Sequence, residues 1–410
     1  MESKEVGLEK IEDVENMYIN WLYDKARIDR GKIKNLMEKL GSAEAVCAVK
    51  DGSTLAKVKI RRSLSDREIQ QFDEARKCIS PQTAYEEIRE EKIRLCCFGQ
   101  KDYPRKLADI PGAPLILYYK GRLPDSDEIS VAVIGSRSCS EYGRVIAEEF
   151  GRQFAEAGIQ VISGMARGID GISQKSAVKA DGYSAAILGC GVDICYPSDN
   201  RQLYEKLEET GAIISEYPPG TQPLACYFPA RNRIISGLSD AVVVVEAREQ
   251  SGTMITVDAA LEQGRDVYAV PGRVTDALSG GCNRLIRQGA DLILSAQELI
   301  GELGGCRNTI ASCPENEKHE VNGWNNVKNK KDRAKIIKFD RSAGAMPPGL
   351  DEGERIIWSV LDYDPMSVEE IRQKVSSKMI VTIPQLLQLL LQMCFKNAAK
   401  RVSGSYYTRC

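Results

Sequence analysis

The sequence predicts an α/β protein built on a doubly wound, mostly parallel sheet, with a helical segment before it and a small helix-and-hairpin segment after it. Three observations carry this reading. Between residues 131 and 305, short β-branched apolar runs alternate with amphipathic helical stretches. The runs are apolar almost throughout, as strands covered on both faces are. Each run ends in small residues that enter a helix, and in such sheets ligands bind outside the carboxyl ends of the strands.

Residues 1–95 read as short helices with charged faces, in IEDVENMYINWLYDKARI, GKIKNLMEKLG and SDREIQQFDEARKCI. Within them Ile33, Leu36, Met37 and Leu40 recur at three- and four-residue spacing. Residues 96–130, rich in Pro and Gly and ending in the strand-like LILYYKG, are expected to be a connector packed on the core. Residues 131–305 hold the runs VAVIGS, IQVISG, YSAAILG, GAIISEY, AVVVVEA and DVYAVPG, with LILS a candidate seventh. Residues 306–349 lose periodicity and fill with Asn, Lys, Pro and Gly, as a flexible linker does. In residues 350–410 the helical period returns, with capping boxes at Ser367 and Glu370 and at Thr382 and Gln385, and AAKRVSGSYYTR reads as a hairpin. Three helices and a hairpin predict a winged helix.

The 410 residues correspond to about three domains at roughly 150 residues each. Apolar residues make up 43% and charged residues 28%, the balance of a chain that folds in water. The longest apolar runs, such as AVVVVEA, fall far short of the roughly 20 residues that cross a bilayer. The opening MESKEVGLEKIEDVE is charged before any apolar run, unlike a secretory signal. A cytoplasmic protein without a membrane partner is expected. The 13 cysteines include no CxxC pair and read as reduced thiols, which leaves only a cysteine-based metal site open. The single histidine, His319, lies in the polar linker, which excludes a histidine-based triad or a multi-histidine metal centre. No metal and no cofactor are expected.

A net charge of −2, from 56 Lys+Arg and 58 Asp+Glu, gives no whole-molecule sign of a polyanionic partner. The distribution is more informative. Residues 131–305 hold 15 Lys+Arg against 22 Asp+Glu, yet 12 of the 15 are Arg. Seven of these (Arg137, Arg167, Arg231, Arg233, Arg273, Arg284 and Arg287) lie in strand-end segments.

The loop after the first run, GSRSCSEYG, lacks the GxGxxG spacing, so an ordinary NAD site is excluded. A small-residue loop entering a helix still aims free backbone N–H groups and the positive dipole end at an anion. Arg137 adds a fork that matches phosphate, although such turns also serve purely structural roles. The second run ends in SGMARGID, which sets Gly164, Arg167 and Gly168 beside the first loop if the two strands are neighbours. Asp170 there suits either a helix cap or chemistry. Arg231, Asn232 and Arg233 follow closely on Tyr217, Tyr227 and Phe228. Guanidinium groups interleaved with aromatics suit a single-stranded nucleic acid, with charge for phosphates and flat faces for bases. The alternative puts Phe228 in the core and pairs the arginines with Glu216 or Glu246. Ser251, Gly252 and Thr253 open the helix after the fifth run, and Arg273, Asn283, Arg284 and Arg287 follow the sixth.

In order along the chain, IGSRSCSEYG, SGMARGID, LGCGVDICYPSDNRQLY, ISEYPPGTQP, FPARNRIISGLSD, VVVEAREQSGTMITVDAALEQGRDVYAVPG and GGCNRLIRQGADLI resemble the core signature of the DprA/Smf (DNA processing protein A) family, over essentially all of residues 131–295. The resemblance implies an extended Rossmann fold flanked by an N-terminal SAM-like helical domain and a C-terminal winged helix. It implies a protein that binds and protects single-stranded DNA and helps load the RecA recombinase onto it during natural transformation and recombination. It also implies a homodimer through the Rossmann domain. Carried onto this chain, the DNA contacts are Gly135, Ser136 and Arg137 with Phe228, Arg231, Asn232 and Arg233. Gly164, Arg167, Ser251, Gly252 and Thr253 form the adjoining pocket, and Arg273 and Asn283 are added from the last strand ends.

Three features depart from the family. Gln174 stands where many members have histidine, the Gly-rich hairpin between the N-terminal helices is reduced to Arg27-Ile28-Asp29-Arg30-Gly31, and the presumed recognition helix, IPQLLQLLLQM, has no Lys or Arg. A duplex reader needs cations there, so that helix is expected to be a packing or protein-contact surface. The enzyme alternative is a LOG-type phosphoribohydrolase, whose PGGxGTxxE motif ends in a catalytic glutamate. Thr256 occupies that place here, so a non-enzymatic binding protein is expected. A protein-only adaptor with a vestigial pocket would have no nucleic-acid affinity.

Overall fold

The computed structural model describes residues 13–304, 350–361, 366–376, 379, 381–396, 398–403 and 406–409. His319 and the linker expected over 306–349 lie outside them. The chain divides into two compact units, Met1–Asn322 and Gly323–Cys410.

The first unit is built on nine strands: β1 (Arg94–Cys97), β2 (Ile116–Gly121), β3 (Ser130–Ile134), β4 (Gln160–Ser163), β5 (Ser184–Leu188), β6 (Ala212–Ser215), β7 (Ala241–Val244), β8 (Asp266–Ala269) and β9 (Asp291–Leu292). Their order across the sheet is β1-β2-β6-β5-β4-β3-β7-β8-β9. From β6 to β9 all neighbours are parallel. Every residue of SVAVI, SAAIL and AVVV is buried, because helices cover both faces of these strands. The chain runs from β3 outward through β4, β5 and β6, then returns to β7 on the other side of β3. That reversal opens a crevice between the carboxyl ends of β3 and β7.

The segment read as a connector supplies β1 and β2, which continue the sheet antiparallel: β2 pairs with β6, Tyr118 opposite Ser215, and β1 pairs with β2. Each is short and set among Pro and Gly, so neither shows a long apolar run. LILS yields only the two-residue β9, exposed throughout.

Helix covers residues 13–20 and continues into a π-turn, Trp21–Lys25. Helices Arg30–Leu40, Ala43–Cys47, Gly52–Ala56, Asp66–Cys78 and Pro81–Glu90 follow. The two five-residue helices carry no readable period and are started by the side chains of Ser42 and Asp51. Trp21, Ile33, Leu36 and Phe72 share one hydrophobic cluster with Tyr118, Ala186, Leu188 and Ile213 of the sheet. The Tyr118 hydroxyl donates to Asn20 Oδ1 at 2.9 Å within that contact. In the reduced hairpin, Asp29 Oδ1 accepts from the N–H groups of Gly31 and Lys32 at 3.0 and 3.4 Å. The amides that such a turn would offer a phosphate are taken up by this cap.

The second unit has helices Glu352–Val360, Val368–Val375 and Ile383–Phe395, with a three-stranded antiparallel sheet of β10 (Met366–Ser367), β12 (Tyr406–Arg409) and β11 (Ala399–Ser403) in that order. Glu370 Oε2 accepts from Ser367 N at 2.8 Å and Gln385 Oε1 from Thr382 N at 3.0 Å, closing the helix starts read from the sequence. On Ile383–Phe395, Leu386, Leu390 and Met393 are buried while Ile383 and Leu391 are exposed. Ten cysteines lie among the described residues, and no disulfide joins any two of them. No helix among those residues is long and apolar enough to cross a membrane.

Candidate functional site

The crevice between β3 and β7 widens into a cleft of about 670 Å³. Its walls come from four strand ends, and each is fixed by local chemistry. After β3, the loop Gly135–Ser140 leads into helix Glu141–Glu156. A Cβ on Gly135 would fall 2.7 Å from Ile169 Cγ1 and 2.8 Å from Glu246 O, so no side chain fits there. Ser136 N donates to Glu246 O at 2.7 Å. The carboxylate of Glu246, 1% exposed, accepts from Ser140 N at 2.9 Å and from the Ser140 hydroxyl. Ser140 Oγ in turn accepts from Gly143 N at 3.2 Å and caps the helix. One buried glutamate on the far wall thus holds the whole first loop.

The loop after β4 presses against it. Gly168 has φ +72°, and a Cβ on it would lie 2.1 Å from Ser136 O; Ile169 N donates to that same oxygen at 3.2 Å. Asp170 does not cap helix Ile169–Lys179. It is buried and accepts from Gly164 N at 3.2 Å. Burial pushes its carboxyl up, against the pull of the Arg231 guanidinium and the Gly164 N–H.

Helix Tyr227–Gly237 sets the aromatic and cationic wall. Phe228, Arg231, Asn232 and Ile235, at i, i+3, i+4 and i+7, all line the cleft. Phe228 packs on Gly189 and beside Tyr196, ring centroids 5.6 Å apart. The exposed Arg137 lies over the same ring, its Cζ 5.5 Å from the centroid. Arg231 is only 4% exposed; its Nη1 donates to Gly164 O at 3.0 Å and to Ile187 O. Burial, partly offset by Asp170, lowers its pKa to about 10, so it stays charged at neutral pH as a buried tie between β4 and β5.

The fourth wall is the start of helix Gly252–Glu262, with Ser251, Gly252 and Thr253 lining the cleft. Among the described residues no side chain caps this helix, and Ser251 Oγ has no partner. Its first N–H groups and the positive end of its dipole therefore face the cleft. Asn232 Nδ2 reaches Gly252 O at 3.5 Å.

Nine of the fourteen residues read as DNA contacts line this one cleft: Gly135, Ser136, Arg137, Phe228, Arg231, Asn232, Ser251, Gly252 and Thr253. Gly164 and Arg167 line a smaller hollow beside it, together with Arg137 and Phe228. Arg167 pairs there with Asp199 at 2.7 Å. The other three lie elsewhere. Arg233 turns to the opposite side of its helix, where it and Arg30 pair with the buried Glu216. Asn283 uses both ends of its amide on Gly272, donating to its O at 3.0 Å and accepting from its N at 3.2 Å. Arg273 is exposed on that same turn. Arg248 and Tyr196 line the cleft without having been singled out from the sequence. Arg248 is exposed and forms no ion pair among the described residues; its position two residues past Glu246 in VVVEAREQSG was the available signal.

The model of the family described as DNA recombination-mediator protein A matches residues 94–304, from the start of β1 to the last described residue of the first unit. The chain belongs to that family. DNA processing protein DprA of Streptococcus pneumoniae is 44% identical over 200 residues, 49% of this chain and 71% of that one. DNA processing protein DprA of Bacillus subtilis is 39% identical over 216 residues, 52% of this chain and 73% of that one. Protein Smf of Escherichia coli is 42% identical over 222 residues, 52% of this chain and 58% of that one. The X-ray structure of the S. pneumoniae protein superposes with a TM-score of 0.59 at 32% identity, over 70% of this chain and 97% of the other. The family's match begins at Arg94, so it includes the two antiparallel strands.

Proposed function

We propose that the cleft between β3 and β7 binds single-stranded DNA, protects it, and helps pass it to a RecA-type recombinase during transformation and recombination. The observation that carries this reading is the convergence on one 670 Å³ cleft of two free guanidiniums, Arg137 and Arg248, an accessible aromatic pair, Phe228 and Tyr196, and the uncapped helix start at Gly252. Exposed cations take phosphates, aromatic faces take bases, and neither selects a sequence. A duplex presents its bases stacked inside, so Phe228 gains nothing from it. Membership in a recombination-mediator family agrees with this chemistry.

Around that site the fuller reading is an extended Rossmann core, residues 131–305, with a SAM-like N-terminal domain over 1–95 and a winged helix over 350–410. Two copies pair through the Rossmann core. The order helix, strand, helix, helix, hairpin in the second unit supports the winged-helix assignment. The protein acts in the cytoplasm by binding rather than by catalysis. Thr256, buried in the cleft wall, supplies no acid or base, and Asp170, the carboxylate lining the cleft, is held by Gly164 N and Arg231.

A gel shift with oligothymidylate and with a duplex of the same length tests the proposal, followed by RecA filament assembly on coated strands. Preference for the single strand and faster filament growth are expected. Equal affinity for both forms would contradict it, and release of free base from nucleoside monophosphates would move the cleft to the enzymes.

A further inference from the structure

The outer edge of the sheet carries a second cleft, of about 520 Å³, where β1 meets the N-terminal helices. Arg89 from helix Pro81–Glu90, Lys92 from the turn after it and Arg94 at the start of β1 line it. All three are exposed, and none pairs with a carboxylate among the described residues. Arg89 lies over the face of Tyr85, its Cζ 5.9 Å from the centroid, and Arg94 over Tyr119 at 4.9 Å. Lys92 has φ +58°, at the helix end where glycine or asparagine is the usual residue. The cleft also has two carboxylates, Asp13 and Asp102, of which Asp13 accepts from the Tyr85 hydroxyl at 2.6 Å.

The cleft wall holds an independent sign of a ligand. Asn16 is 4% exposed, its Nδ2 donates to Leu95 O at 3.4 Å, and its Oδ1 has no partner among the described residues. A buried acceptor left without a donor is rare and costly, and a ligand N–H would satisfy it. An added β-strand is a poor candidate, because three of the outward groups of β1 are already taken. Gln100 Oε1 accepts from Cys97 N at 2.7 Å, Gln100 N donates to Cys97 O at 3.2 Å, and Asn16 covers Leu95 O.

We infer that this edge cleft is a second nucleotide site. Arg89, Lys92 and Arg94 hold phosphate, a tyrosine face stacks the base, and Asn16 Oδ1 accepts an N–H from the base edge. The nucleotide is either one unit of a long strand or a free nucleoside phosphate, and only the first source rests on the DNA reading above. β1 and β3 are five strand spacings apart, about 24 Å at about 4.8 Å each. A strand seated at the switch point therefore reaches β1 only when it spans about seven stacked nucleotides at about 3.4 Å each.

The test compares oligothymidylates of about four and about 25 nucleotides on the full chain, the Arg137→Glu variant, and a triple Arg89→Ala, Lys92→Ala, Arg94→Ala variant, over a range of salt. Losing three phosphate contacts flattens the log–log salt slope by about 2 for the long strand. The triple variant is expected to bind the long strand about tenfold more weakly with that flatter slope, and the short strand as the parent does. Titrating deoxyadenylate and inorganic phosphate into Arg137→Glu separates the sources. Saturable deoxyadenylate binding tighter than phosphate, lost in Arg137→Glu with Asn16→Leu, assigns a free nucleotide. No deoxyadenylate binding together with the long-strand loss assigns the strand. If the triple variant keeps the parent's long-strand affinity and slope and deoxyadenylate does not bind, the inference is overturned, whereas parent-like binding by Arg137→Glu overturns the switch-point reading instead.

Discussion

Replacing Gly168 by alanine probes the contact that holds the first two strand-end loops together. Gly168 sits at φ +72°, ψ −136°, a conformation for which L side chains pay roughly 1–3 kcal/mol. Its new Cβ would lie 2.1 Å from Ser136 O and 2.8 Å from Arg137 C, backbone atoms that cannot rotate aside. Relieving such overlap adds about 1–3 kcal/mol, so the expected loss is about 2–6 kcal/mol. Gly264→Ala is the control. Its φ is +69°, but no atom lies within 4 Å of the added Cβ, so only the conformational cost of about 1 kcal/mol applies. With a urea slope of about 3 kcal/mol per molar, the two midpoints should differ by about 0.3–1.7 M. Urea unfolding followed by circular dichroism reads this directly. Because relief moves Ser136 and Arg137, Gly168→Ala should also weaken oligothymidylate binding, whereas Gly264→Ala should not. Equal midpoints for the two variants would mean that the close approach of Gly168 to Ser136 O carries no stability.

Other outcomes follow from the same geometry. Arg231→Ala leaves Gly164 O, Ile187 O and Asp170 without their cation and should cost about 3 kcal/mol or more in thermal unfolding, while the salt slope of DNA binding stays unchanged because this guanidinium is buried. Phe228→Ala removes one stacking face and should weaken oligothymidylate binding by about 1–3 kcal/mol, roughly 5- to 150-fold, with Phe228→Tyr close to the parent in fluorescence titrations. For Glu68, burial pushes the carboxyl up but the Lys32 ammonium and the hydroxyl and N–H of Ser65 outweigh it, holding the pKa at about 2, below its ordinary 4.5. The stability this gives is fully present above pH 4.5 and is lost as pH falls toward 2. Glu68→Gln should be less stable than the parent at pH 7, with the two denaturation curves converging near pH 2.

The parallel core was legible because strands covered on both faces must be apolar throughout, and six such runs in alternation with helices admit few other folds. β2 was legible as the strand-like LILYYKG, but not its place in the sheet, because its partner β6 lies far along the chain, and the four-residue β1 was too short to show a period. The cleft was legible as a set of strand ends, but not which side chains enter it. Arg231 and Arg233 were read as one element, although two positions on a helix are about 200° apart and necessarily face opposite sides. Arg231 ties two strands together inside, and Arg233 meets Glu216, one of the two acidic partners that the alternative reading named. Phe228, also left open between core and surface, packs on Gly189 and still lines the cleft. For Arg248 the sequence offered its place just past the AVVVVEA run but not the strand beside it, because the chain separates β7 from β3 by more than 100 residues.

In the proposed function Arg137 and Arg248 meet a bound strand as free cations. Equilibrium binding of oligothymidylate across a salt series, on the parent and on an Arg137→Ala, Arg248→Ala double variant, tests it most directly. Each phosphate neutralised on a single strand contributes about −0.7 to the log–log slope, so removing two contacts should flatten the slope by about 1.4 and weaken binding most at low salt. A double variant with the parent's slope and affinity would mean that no strand phosphate meets these two guanidiniums.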